Sequence, residues 1–280
     1  MGPTVSDATH LRTSAPFDGA ALLRFLAARA IPGVEVVADG AYSRTVALPS
    51  GPAVLTVTPD ASGVTLHARL ADAADQPKAI ALVRHLFGLD QDPAPAIATL
   101  GEDPALAPLI AQRPGLRVPG TVSGFELSLR AVLGQQISVA AARTLAGRIT
   151  AQLGAALPPE LASGGALTHL LPTPAAIAAA PADVFPMPRS RIRTIQGLAA
   201  ADPRLDAPAD ADALTELWGV GAWTAGYVRM RLGDPDVFLP TDVAILKALR
   251  NLGLTEADAP RWAPVRSFAT LHLWASLANA

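Results

Sequence analysis

The sequence has no cysteine in its 280 residues. That absence excludes structural disulfides, a cysteine-ligated iron–sulfur cluster and a thiol that could accept an alkyl group. Lysine is almost missing too, with only Lys78 and Lys247 present, so chemistry that starts from a lysine amine has few places to begin. No basic excess exists either: 22 Lys and Arg face 24 Asp and Glu, for a formal net charge of −2. Binding to nucleic acid through bulk positive charge is therefore excluded, and any phosphate-binding footprint must be local. No apolar run is long enough to span a bilayer, and the first residues lack the pattern of a secretory leader. These features lead us to expect a cytoplasmic chain without a membrane partner. The five histidines are dispersed with no ligand pair at helical spacing, and no Walker-type or dinucleotide-binding loop occurs.

What is present is a half-apolar chain, 50% hydrophobic, enough for two or three packed units. Residues 1–14 are polar, without periodicity, and are expected to be loose. A helical pattern at 18–30 precedes four short β-prone runs at 34–38, 43–48, 53–58 and 64–70, separated by turn residues such as Asp39-Gly40. A helix at 76–87 completes an α+β unit over residues 1–89. Beyond it the periodicity is helical, with segments near 93–112, 122–133, 137–154, 174–182, 191–201, 209–218, 222–231, 242–251 and 258–278.

The chain is organised around residues 214–249. Leu214 and Leu217 end one apolar helical pattern, Ala222 to Met230 begin another, and Gly219 and Gly221 allow a tight hairpin between them. At the start of the second helix the backbone N–H groups have no intrahelical acceptor, and no Cβ at either glycine obstructs a phosphate. Such a grip fixes position without reading bases. Pro240-Thr241-Asp242 then precedes Val243-Ala244-Ile245-Leu246, which puts Asp242 at or just inside a helix N-terminus. On that pattern alone a helix cap is the simpler reading. Arg189, Arg191 and Arg193, with Arg130, Arg229 and Arg231, are candidates for a positive footprint, and a solvated helix face is the alternative for each.

All four tryptophans, Trp218, Trp223, Trp262 and Trp274, lie in the last quarter of the chain with Tyr227. Trp223 and Tyr227 are four residues apart and share a helix face. Aromatic faces attract cations, more strongly where water is excluded. Trp218 and Trp262 read as ordinary core aromatics.

Gly219-Val220-Gly221, followed by Trp223-Thr224-Ala225 and by a Pro-x-Asp before a helix, resembles the helix-hairpin-helix DNA glycosylase superfamily. Phe-Leu-Ala-Ala-Arg-Ala at 25–30, Arg-Val-Pro-Gly at 117–120, Arg-Ala-Val-Leu-Gly-Gln at 130–135 and Arg-Ser-Phe-Ala-Thr-Leu-His-Leu-Trp at 266–274 extend the resemblance over nearly the whole chain. They narrow it to the alkylated-base branch, the DNA-3-methyladenine glycosylase II (AlkA) family. The resemblance implies a small antiparallel sheet domain followed by a two-lobed all-α body. One lobe, 90–122 with 236–280, would carry the catalytic aspartate, and the other, 123–235, the hairpin. Asp242 takes the catalytic position; Trp223, Tyr227 and Trp274 line the base pocket; Gln135, Gln136, Gly219, Gly221 and Thr224 meet DNA, with Gln136 as the wedge that fills the gap left by a flipped nucleotide. No cofactor is required, and a monovalent cation on backbone carbonyls near Leu217 and Val220 is optional. The sequence departs from the family at Trp218, where proline is common, at Thr241, where relatives often have a second acid, and at Gln136, where the best-known relative has an apolar wedge.

The implied activity is that of a monofunctional glycosylase, a monomer acting on duplex DNA that contains alkylated bases, cytoplasmic and associated with the nucleoid. It would hydrolyse the N-glycosidic bond of purines such as 3-methyladenine and 7-methylguanine. In lyase-competent relatives the lysine stands at the position of Trp223, and Lys247 lies roughly 140° around the helix from Asp242. Other readings are a noncatalytic helix-hairpin-helix DNA-binding protein, which needs neither Asp242 nor the aromatic cluster, and a lyase acting on oxidised guanine, which Trp223 disfavours.

Overall fold

A computed structural model describes residues 4–5, 7–162 and 165–277. The fold is α+β, with an antiparallel sheet first and a helical body after it. The strands are β1 (Thr4–Val5), β2 (Thr9–Arg12), β3 (Glu35–Ala38), β4 (Ala41–Leu48), β5 (Gly51–Asp60) and β6 (Gly63–Leu70). They run in the order β1-β6-β5-β4-β3, with β2 also paired to β6. Asp39 and Gly40, both at positive φ, make the two-residue turn between β3 and β4 and set the register Ala38↔Ala41. Helices α1 (Gly19–Arg29) and α2 (Gln76–Leu86) share one core with the sheet, and Leu22, Leu26, Leu55, Leu66, Val83 and Phe87 are buried there. The stretch expected to be loose is instead partly strand: Thr9–Arg12 pairs with residues 63–66, and Leu11 is buried in the core. Four residues are too few for periodicity to reveal.

The helical body comprises α3 (Ala94–Gly101), α4 (Ala107–Gln112), α5 (Gly124–Leu133), α6 (Val139–Leu153), α7 (Pro174–Ala179), α8 (Arg189–Ala201), α9 (Ala222–Arg231), α10 (Val243–Asn251) and α11 (Arg266–Leu277). Two expected helices are broken. Residues 93–112 divide at Asp103-Pro104, where proline lacks an N–H and the Asp103 carboxylate accepts from the Ala105 and Leu106 amides instead. Residues 258–278 divide at Pro264 into a 3₁₀ segment, Glu256–Trp262, and α11. The segment before the hairpin, Pro208–Glu216, is likewise 3₁₀ rather than α.

Two apolar clusters fill the body. One is built around Val132, Ile149, Ile195, Leu198 and Val228. The other centres on Leu100, Ile245, Leu249, Trp262 and Leu273. Tyr227 packs against both and so marks the seam between them.

Sheet and body are joined by buried charge. Glu35 on β3 and Arg44 on β4 face Glu126 and Arg130 on α5. Arg44 Nη2 lies 2.7 Å from Glu126 Oε2, Arg130 Nη2 lies 2.8 Å from Glu126 Oε1, and Arg130 also pairs with Glu35. Glu35 further accepts from the Tyr42 hydroxyl and from the Ile31 N–H at 2.9 Å. Two carboxylates balance two guanidiniums, and such groups are stable out of water only because each is paired and hydrogen-bonded. Burial pushes the Glu126 carboxyl up, but Arg44 and Arg130 outweigh it and hold its pKa well below the usual range.

A folded pKa below the unfolded one gives stability that is present above the ordinary glutamate value and lost as pH falls beneath it. Glu126→Gln, which leaves Arg44 and Arg130 short of a counter-charge, is expected to cost about 3–5 kcal/mol in urea unfolding at neutral pH. The same variant is expected to flatten the loss of stability at acid pH; unchanged stability in both respects would show that the network contributes nothing net.

Candidate active site

The hairpin ends where α9 begins. Gly219 has φ +80°, and a Cβ there would lie 2.2 Å from Thr194 Oγ1 on α8, so conformation and space both require glycine. Gly221 caps α9 without any side-chain hydrogen bond and has no atom within 4 Å of where a Cβ would be. The first amides of α9 are therefore open to a ligand.

Asp242 is the N-cap of α10, its Oδ1 accepting from the Ile245 N–H at 2.9 Å. The simpler sequence reading is thus correct but incomplete. Oδ1 also accepts from Trp274 Nε1 at 3.1 Å, and Oδ2 from Trp223 Nε1 at 2.9 Å. Three segments, α9, α10 and α11, meet at one carboxylate. Trp223 and Tyr227 stack with ring centroids 5.5 Å apart and planes 3° from parallel, while Trp274 is tilted 59° to Tyr227 at 6.2 Å. The indoles present edges to the carboxylate and leave their π faces beside it.

Beneath the aromatics lie cations that sequence reasoning did not assign to the pocket. Arg231 donates to the Tyr227 hydroxyl at 2.7 Å and to the carbonyls of Pro119 and Gly120. Arg29 and Arg231 sit over the Phe25 ring at 3.8 and 5.0 Å. Burial pushes the Tyr227 phenol up, yet Arg231, Arg29 and Arg130 together bring its pKa below the ordinary value. A cleft of about 950 Å³ runs through the region, lined by Asp242, Trp223, Tyr227, Trp274, Arg29 and Gln136 among others. That volume lies near the top of the roughly 300–1,000 Å³ spanned by small-molecule sites.

The remaining expected residues divide. Gln136 is exposed on the cleft wall at φ +60°, a left-handed conformation that costs a non-glycine residue about 1–3 kcal/mol. Gln135 is a strut: its Nε2 donates to Gly219 O and Thr224 Oγ1, both at 3.1 Å, and Thr224 itself is buried. The Leu217 carbonyl accepts from the Val220 N–H at 3.1 Å, which leaves it a second lone pair. Among the footprint arginines, Arg130 belongs to the buried network, Arg231 is buried under Tyr227, and Arg229 is paired with Asp234 and Asp212. Arg191 donates to Gln135 O, while Arg189 and Arg193 remain exposed. Trp262 is core as expected, but Trp218 is not: it is 49% exposed, with Arg193 over its ring at 4.5 Å. The apolar periodicity ends at Leu217, and the turn that follows carries Trp218 outward. Lys247 is exposed and absent from the cleft lining. His272 is buried away from the cleft, its pKa lowered to about 4 chiefly by burial, with Arg113 adding to the effect.

Comparison with known proteins follows the same outline. The family model for the AlkA N-terminal domain matches residues 8–123. A probable bifunctional transcriptional activator/DNA repair enzyme AlkA of Mycobacterium tuberculosis is 40% identical over 283 aligned residues, covering 96% of this chain and 56% of that protein. The chain thus spans little more than half of that relative. DNA-3-methyladenine glycosylase 2 of Escherichia coli is 37% identical over 279 aligned residues, covering 92% of this chain and 94% of that one. Among solved structures, a 3-methyladenine DNA-glycosylase from Archaeoglobus fulgidus superposes with a TM-score of 0.81 at 20% identity, covering 95% of this chain and 97% of its own. That likeness is one of fold.

Asp242→Ala removes a cap and the acceptor of two indole N–H groups. It is expected to cost about 1–3 kcal/mol in urea unfolding. Asp242→Asn keeps an oxygen for Ile245 and Trp274 but turns an NH₂ toward the Trp223 N–H, so it should cost less than the alanine variant; equal costs would mean that the clash of two donors at Trp223 cancels what the retained oxygen contributes.

Proposed function

This chain belongs to the DNA-3-methyladenine glycosylase 2 (AlkA) family, and we propose that it is a DNA glycosylase that hydrolyses the bond between deoxyribose and an alkylated purine. The observation that carries this reading is the Asp242 carboxylate, fixed by two indole N–H groups beside the stacked faces of Trp223 and Tyr227.

The chemistry follows from what each group offers. A purine alkylated at N3 or N7 is a cation, and its leaving group is a neutral base, so no acid is needed to protonate it. The pocket supplies π faces for the cation and a nearby anion. As the C1′–N bond breaks, positive charge moves to the sugar, and a pre-positioned carboxylate stabilises that charge most where water is scarce. A water oxygen then bonds to C1′ and its proton passes to Asp242 or to solvent, leaving an abasic site and the free base. To reach the pocket the nucleotide must leave the stack, and the side chain we assign to the vacated space is Gln136, which is exposed and lines the cleft. The open amides that follow Gly221 at the start of α9 suit a backbone phosphate. A monovalent cation on the Leu217 and Val220 carbonyls would add to that grip. Duplex DNA bearing alkylated bases is the proposed partner, bound by a monomer in the cytoplasm near the nucleoid. Among the described residues no helix is long and apolar enough to cross a membrane.

Cleavage of the strand by a lysine amine has no support, since Trp223 lines the cleft and Lys247 does not. The test is release of free base from methylated duplex DNA by the native protein and Asp242→Asn, at a temperature where both are folded. Native protein should release 3-methyladenine and 7-methylguanine, with strand breaks appearing only after alkali. The variant should be slower by about a hundredfold or more, the scale of losing one electrostatic stabiliser, while binding undamaged DNA as before. Equal rates would reduce Asp242 to its capping role, and DNA binding without base release by either protein would favour a noncatalytic DNA grip.

A further inference from the structure

The four indoles of this chain are not used alike. Trp223 and Trp274 donate their N–H groups to Asp242, and Trp262 donates to Asp103 at 2.6 Å. Trp218 is the exception: among the described residues its Nε1–H has no protein acceptor, and the ring is 49% exposed immediately before the hairpin glycine Gly219. Arg193 covers one face of that ring at 4.5 Å and, among the described residues, pairs with no carboxylate. Its neighbour Thr194 packs under Gly219, and Arg191, two residues earlier on α8, bonds to the Gln135 carbonyl. Indole and guanidinium therefore sit exposed together at the hairpin, directly before Gly219.

Among the described residues two other large apolar side chains are exposed, Val139 at 45% and Val243 at 78%; both line the cleft, whereas Trp218 stands outside that lining, on the hairpin.

We propose that Trp218 and Arg193 form a composite contact for the sugar–phosphate backbone of the DNA strand held by the hairpin. The inference rests on the DNA-binding reading above and adds to it a contact where the family commonly has proline. The chemistry is that of the other three indoles transferred to a ligand: an N–H that finds a carboxylate oxygen inside the protein finds a phosphate oxygen outside it. Stacking on the indole restricts the Arg193 guanidinium, so its remaining donors are already arrayed when a phosphate arrives. The apolar part of the indole then covers deoxyribose. This contact reads no sequence and strengthens binding to any duplex. It also supplies locally some of the positive footprint that a net charge of −2 denies the chain as a whole.

The experiment measures dissociation constants for undamaged duplex DNA over a potassium chloride series, using native protein, Trp218→Ala, Trp218→Phe, Arg193→Ala and the double alanine variant. Base release from methylated duplex is followed over a range of DNA concentrations. Trp218→Ala should weaken binding about tenfold, as for one aromatic contact to a nucleic acid, and Trp218→Phe by less. Arg193→Ala should lower the slope of log affinity against log salt by about one. The double variant should bind little worse than the weaker single variant, because the two side chains act together. The loss should appear in the DNA concentration giving half-maximal base release. Native affinity in Trp218→Ala, or an unchanged salt slope in Arg193→Ala, would overturn the proposal. If the native protein released no base but Trp218→Ala still bound DNA more weakly, the glycosylase reading would fall and this contact would stand. If the native protein released base and Trp218→Ala bound DNA with native affinity, the glycosylase reading would stand and this contact would fall.

Discussion

The Asp242 carboxylate is the point on which the site depends. It accepts from Ile245 N, Trp223 Nε1 and Trp274 Nε1, so one anion caps α10 and ties it to α9 and α11. Each bond constrains more than a distance. An indole can donate only along its N–H edge, so both rings, which line the cleft, must turn that edge to Asp242. The carboxylate gains hydrogen bonds that compensate for its partial desolvation, and the aromatics gain fixed orientations. Removing the anion would release the pocket's geometry along with its charge.

Behind this layer lies a second, which gives the sheet a task in the site. Glu35 and Arg44 come from strands, Glu126 and Arg130 from α5, and the four exchange hydrogen bonds in the buried seam between them. Arg130 also donates to the Arg29 carbonyl at 3.1 Å, and its own carbonyl accepts the Gly134 N–H at 3.0 Å. Gln135 and Gln136 follow directly. The sheet thus fixes both the end of α1, which carries Arg29 into the pocket, and the end of α5, which projects Gln136 into the cleft. A buried charge left unpaired is costly, so a shift of this docking that parted the pairs would be penalised.

Local signals are the legible ones. Two glycines around Val220 announce the hairpin, because a positive φ and a side-chain-free approach are requirements of single positions. Four-residue spacing puts Trp223 and Tyr227 on one face, and Pro240-Thr241-Asp242 marks a helix start. The Asp39-Gly40 turn and the positions of the longer strands are equally local. What stays hidden depends on partners distant in sequence. Glu35 and Arg130 are separated by 95 positions, and nothing in their own neighbourhoods distinguishes a buried pair from two solvated charges. Arg231 reads as a surface cation until Tyr227 and the Pro119 and Gly120 carbonyls are seen around it. The break at Asp103 is set partly by Arg261 and Trp262, which bind its carboxylate from the far end of the chain. Trp218 reads as core because tryptophan is usually buried; only the turn shows it facing outward.

The central claim, that the Asp242 anion stabilises positive charge on the sugar, is tested most directly by affinity for duplex DNA carrying a pyrrolidine abasic analogue, a cation shaped like the sugar at the moment the base departs. Its neutral tetrahydrofuran counterpart is the reference, and native protein is compared with Asp242→Asn. The expected result is much tighter binding of the cationic analogue by the native protein, with that preference lost in the variant. Equal affinity of the native protein for both analogues, or a preference that survives in Asp242→Asn, would contradict the claim.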